Sequence, residues 1–124
     1  MMRRQAGWRA LTASLVFLLA TGPACLAQEV SQLRGEVFFA GRTPVDPPPD
    51  EPKNSHAYMT VSGAAALRMY RAMRSSEKAN PCEAGQRMKR AGALVCSVTR
   101  DGRTATCDFS LDLINGALDS GRPC

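Results

Sequence analysis

His56 is the sole histidine of the 124 residues, so any acid–base or nucleophilic site built on imidazole must be built around it. It follows a proline-rich stretch, and no Gly-x-Ser-x-Gly elbow exists to supply it with a nucleophile. Carboxylate chemistry would need two acids in a sheltered cleft. Asp46, Asp50 and Glu51 fall in the same proline-rich stretch, while Asp108 and Asp112 take the outward positions of a predicted strand. Zinc would need paired cysteines or histidines at ligand spacing, and there is no Cys-x-x-Cys. Met69 and Met73 could hold copper with His56, but at helical spacing they read as core packing. No phosphate-cradling glycine loop is present. The expectation is a chain without a catalytic residue, a metal or a cofactor.

Cysteine is the other reactive type. Cys25 falls in an apparent export signal, which leaves Cys82, Cys96, Cys107 and Cys124, an even number suited to a disulfide framework. Four cysteines allow three connectivities. A local feature favours one. The β-forming runs 93–99 and 104–111 flank Arg100-Asp101-Gly102-Arg103, and Asp-Gly is the preferred centre of a two-residue type I′ hairpin. That turn sets Val98 opposite Ala105, Ser97 opposite Thr106 and Cys96 opposite Cys107. Alternation then gathers Leu94, Cys96, Val98, Ala105, Cys107, Phe109 and Leu111 on one face, with Ser97, Thr99, Thr104 and Thr106 on the other. The expected bridges are Cys96–Cys107 and, by elimination, Cys82–Cys124.

Charge points to a partner. Between residues 61 and 100 there are eight basic and two acidic side chains, a local net charge of +6, and the flanking segments are acidic. The predicted contact residues are Arg68, Arg71 and Arg74, spaced by three as on one helix face, together with Arg87, Lys89 and Arg90. Aromatic residues that could stack on bases are almost absent from this segment, which argues against nucleic acid. An acidic protein or an anionic envelope surface fits better.

The elements that must position these groups follow from pattern. Val37 to Ala40 and His56 to Val61 read as strands, separated over residues 42–53 by an exposed connector with five prolines. Ser62 is placed to cap a helix running from Gly63 to Ser75. Its inner face collects Ala65, Ala66, Met69, Tyr70, Ala72 and Met73, and its outer face carries the arginines with Leu67 among them. Residues 76–92 read as a loop and a short basic segment. After the cysteine hairpin, Asn115-Gly116 marks a second turn that brings Leu118 back against Leu113. The fold class is α+β: a small antiparallel sheet ending in a three-stranded meander, with one packed helix and disulfide staples.

Residues 1–27 read as a signal peptide. Arg3, Arg4 and Arg9 precede a ten-residue apolar run from Leu11 to Ala20, too short to cross a bilayer core of about 30 Å. Cleavage after Ala27 leaves a mature chain of net charge +2 with no transmembrane segment. Lipidation at Cys25 is the alternative, with Gly22 a poor fit three positions before the cysteine. Residues 28–53 then form an N-terminal strand and linker, and residues 54–124 a disulfide-bonded domain in the periplasm or the medium.

The run 61–70, with Leu94-Val-Cys-Ser97 and Cys107-Asp-Phe-Ser-Leu-Asp112, resembles a class of small exported bacterial proteins of unassigned function. In these a Gly-x-Ala-Ala-x-x-x-Tyr helix precedes two cysteine-bearing strands. The resemblance covers roughly residues 58–112, implies a periplasmic home, and carries over no functional residue. In size, export and stapling the chain is also similar to periplasmic lysozyme inhibitors. The functional expectation is a periplasmic binding protein, acting as an inhibitor or immunity protein against a cell-wall-targeting enzyme. The alternative is an envelope-associated accessory lipoprotein without enzymatic activity.

Overall fold

The computed structural model describes residues 30–122. The predicted export signal, Cys25 and the Cys124 end of the expected second bridge lie outside them. Strand β1 (Arg34–Ala40) pairs antiparallel along its full length with β2 (His56–Ser62). From β2 the chain enters helix α1 (Gly63–Ala72), which crosses one sheet face to reach the far edge at β3 (Lys78–Ala79). Strands β4 (Arg87–Ala91), β5 (Leu94–Val98) and β6 (Ala105–Asp112) then meander back, so that β6 lands between β5 and β2. Strand β7 (Ala117–Asp119) folds back on the end of β6.

The helix packs on β6, β5 and β2. Val61, Ala66, Tyr70, Val98, Ala105 and the two cysteines form the buried core beneath it, and Leu94 and Phe109 pack at its margin. Burying these apolar side chains is the main force holding helix to sheet. The opposite face has a smaller cover. There Tyr58 stacks on Phe38 at 5.0 Å between ring centroids, and its hydroxyl donates to the Gly41 and Arg42 carbonyls at the start of the connector. The connector returns at Ser55, whose carbonyl accepts the Leu113 amide.

The cysteine hairpin has the predicted register, with Val98 opposite Ala105 and Cys96 opposite Cys107. Cys96 and Cys107 are joined with Cα atoms 4.0 Å apart, and both are fully buried. Cys82 is also disulfide-bonded. The turn itself differs from expectation. Type I′ needs positive φ at both central residues, whereas among the non-glycines only Asp46 has one. The chain instead makes a four-residue loop: Gly102 N–H donates to the Thr99 carbonyl, and the Asp101 carboxylate accepts from the Thr99 hydroxyl and the Arg103 amide. Two-residue and four-residue loops centred on the same point give the same register, so the pairing survives.

Three other expectations need correction. Residues 87–91, read as the end of a loop and a short basic segment, are a strand paired with β5; Gly92, with φ of +59°, occupies the turn between them. The last hairpin pairs Leu118 with Leu111, two residues away from Leu113, because Asp112 captures the Ile114 and Asn115 amides and draws four residues into the loop. The helix stops at Ala72, not Ser75, and Ser62 occupies its N-cap position without a side-chain cap bond. Within it Leu67 packs on the core and Ala72 is exposed, the reverse of the predicted faces.

Candidate functional site

Lys89 shows how the basic segment is divided between structure and surface. It sits on β4 opposite Cys96, on the helix-bearing side of the sheet. Its ammonium donates to the Tyr70 and Met73 carbonyls, at 3.2 and 2.9 Å, and lies 4.8 Å from the Tyr70 ring centroid. A cation on the last carbonyls satisfies orphan acceptors and complements the helix dipole. Lys89 is therefore part of the fold. Arg90, the next residue, points to the opposite sheet face. Arg68 and Arg71 are exposed on α1, with Arg68 Nη1 3.4 Å from Ser31 Oγ, and Arg74 lies past the end of the helix. The six predicted contact residues do not converge on one surface.

Arg87 does meet other basic residues, though not those predicted. The loop 80–86 between β3 and β4 is held by Asn80: its amide nitrogen donates to Ser97 Oγ and Gln86 Oε1, and its oxygen accepts the Cys82 amide. The Asn80 amide in turn donates to the Gln86 carbonyl. Across this loop lies the Arg100 guanidinium, so close that a Cβ on Gly85 would stand 3.5 Å from its Nε. Lys78, Asn80, Gly85, Gln86, Arg87 and Arg100 line a shallow groove of about 530 Å³, and a second of about 480 Å³ shares Gly85, Gln86 and Arg100 with it. Neither Lys78 nor Arg100 has an acidic side chain within ion-pairing distance among the described residues. Both lay inside the basic segment counted from the sequence. The unforeseen β3–β4 pairing, together with the β5–β6 loop, brings them to one place.

The groove is tied to the core through Glu77. Arg87 Nη1 lies 2.8 Å from one carboxylate oxygen, and the buried Tyr70 hydroxyl donates to the other. The Tyr70 bond, followed by the Arg87 charge, holds the Glu77 carboxyl below its ordinary range. Burial, then the carboxylate it faces, pushes the Tyr70 phenol up to about 12. The fold thus prefers neutral Tyr70. That contribution is complete below the ordinary tyrosine value of 10.0 and is lost as pH rises through about 12. Denaturant midpoints measured at increasing pH should fall across this window, and the Tyr70→Phe variant should show a shallower fall. At the acid end Glu51, Glu77, Asp101 and Asp112 all titrate below their ordinary values. Their contribution is present above the ordinary carboxylate range and disappears as pH falls through the lowered values.

His56 opens β2, as the strand reading of His56 to Val61 expects. It is 4% exposed; Nδ1 is hydrogen-bonded to Ser55 Oγ at 2.9 Å, and Nε2, with no hydrogen bond, faces Asp119 Oδ2 at 3.7 Å. Sequence reasoning missed this serine–histidine–aspartate grouping. Ser55 is only 7% exposed at the closing end of the connector, so its hydroxyl is not presented to a substrate. Asp108 accepts the Thr60 hydroxyl and Asp112 holds the last loop, so both carboxylates serve the fold. No group of three metal-ligating side chains occurs among the described residues. No protein-family model matches the chain, and no curated protein and no solved structure matches it.

Proposed function

We propose that this chain is an exported binding protein that docks an acidic partner protein in the basic groove at the β3–β4 end of the sheet. The observation that carries the reading is the approach of Lys78, Arg87 and Arg100 to one loop surface, with Glu77 as the single acid among the groove residues. Arg87 is held by its Glu77 ion pair, so it is oriented before a partner arrives. Lys78 and Arg100, with no acidic partner among the described residues, face the ligand. Two guanidinium groups suit carboxylates, which they can engage through paired N–H donors. Within an oxidising envelope compartment, such a protein would act by occupying a partner's surface, as an inhibitor or immunity protein does.

Binding to immobilised poly-glutamate, followed across a salt series, tests the reading. Affinity should fall as salt rises, because exposed charges are screened beyond about 8 Å at physiological ionic strength. Reversing Lys78 and Arg100 to Glu should abolish binding while changing stability by only about 0.5 kcal/mol per site. A triple reversal of Arg68, Arg71 and Arg74 should leave most of the affinity. The opposite pattern, with the helix variant inactive and the groove variant unaffected, would move the docking surface to α1 and overturn the groove.

A further inference from the structure

The two ends of the sheet path are unlike. At one end β3 is only two residues long, and the neighbouring β4 carries Arg87, Lys89 and Arg90. Short strands and charge are the usual protections of a sheet edge. At the other end β1 offers seven residues, pairs on one side only among the described residues, and contains Val37-Phe38-Phe39. Val37 is 52% exposed and Phe39 62% exposed. Both belong to cross-strand rows on the helix-bearing side of the sheet: Phe39–Ala57–Leu111–Leu118 and Val37–Met59–Phe109. Helix α1 packs on β2, β5 and β6, leaving the β1 end of these rows open.

We infer that β1 is a homodimer interface, at which a second copy of this chain adds its own β1 antiparallel and continues the sheet. Charge selects the occupant and the register. A two-fold axis at Gly35 sets Arg34 opposite Glu36 of the second copy, and symmetry repeats the pair. On the helix-bearing side the same register sets Leu33, 71% exposed, opposite Val37 of the second copy, again twice. Moving the axis by one residue puts it on Arg34 or Glu36 and faces like charges. An axis at Val37 leaves Arg34 opposite Ala40 and Glu36 opposite Phe38. The Gly35 axis alone pairs both charges; it sets residues 34–36 of the two β1 strands against each other and 37–40 against 33–30 of the second copy, with Leu33–Val37 as the apolar pair. Such an isologous contact closes on itself and ends growth at two copies.

Gly35 cannot be used as a probe, since a Cβ there would run into the Thr60 carbonyl. The flanking charges can. Sedimentation equilibrium of the purified protein should show a monomer–dimer exchange with concentration. Glu36→Arg sets Arg34 against an arginine in both pairs and should weaken the dimer by about tenfold or more. Adding Arg34→Glu to the same chain recreates two opposite-charge pairs and should restore association. Val37→Lys, at an exposed position, should give a monomer with an unchanged circular dichroism spectrum. A monomer at every concentration would overturn the interface. A dimer that ignores Val37→Lys, or one that the paired charge exchange fails to restore, would overturn it equally.

Discussion

Replacing Cys96 and Cys107 together with alanine is expected to lower the unfolding free energy by about 2–5 kcal/mol. The bridge joins β5 to β6 at the centre of the sheet and closes a loop across a sequence separation of 11. In the chain-entropy view a loop of that order is worth about 3 kcal/mol, through restriction of the unfolded state. A packing contribution adds to it. Both sulfurs are fully buried beneath α1, where Cys107 Sγ lies 3.6 Å from the Ala66 carbonyl of a helix residue with no exposed surface. Alanine at both positions removes the sulfurs from this contact and leaves a cavity. Against a net stability of about 5–15 kcal/mol for a domain, the loss is large. Equilibrium denaturation of the double variant checks it. A loss below about 1 kcal/mol would show that the hairpin is held by its pairing and core contacts alone.

Tyr70→Ala should cost about 3–5 kcal/mol, the range found when large aromatic side chains are deleted from cores. Tyr70 is 6% exposed and is the largest side chain α1 buries. Its ring fills the space between helix and sheet and supports the Lys89 ammonium, while its hydroxyl anchors Glu77. Tyr70→Phe keeps the ring and Lys89 contact and removes only the hydroxyl, which should cost about 1 kcal/mol. Comparing the two variants by chemical denaturation separates packing from the polar link. Equal losses would mean that the link to Glu77, and not the ring, dominates.

The elements legible in the sequence were those whose signals are local. In the β5–β6 hairpin, turn position, alternation and the Cys96–Cys107 pairing agree, and the register does not depend on whether the loop holds two residues or four. Strand β4 was hidden because Arg87, Lys89 and Arg90 give no apolar alternation; only pairing with β5 makes it a strand, a non-local cause. The second turn was displaced by the side chain of Asp112, which competes for backbone amides that Asn115-Gly116 would otherwise arrange. The arginine spacing of three described a helix face correctly up to Arg71. It failed at Arg74, because the backbone turns extended at Met73, whose carbonyl is taken by Lys89 from a strand not anticipated. The basic groove was illegible for the same reason: Lys78, Arg87 and Arg100 meet through the β3–β4 and β5–β6 turns.

The position of β6 has a consequence for the order of events as the chain is made. It binds β2 on one side and β5 and β7 on the other, yet it follows both β2 and β5 in the sequence. Until it arrives, the β1–β2 pair and the β3–β4–β5 meander share no strand contact. The Thr60–Asp108 hydrogen bond that helps lock it spans 48 positions. Closing such distant pairs is slow compared with forming a hairpin or a helix turn. A ribosome would therefore release two open half-sheets, each with an unmatched edge, and the sheet would close only after β6 had emerged.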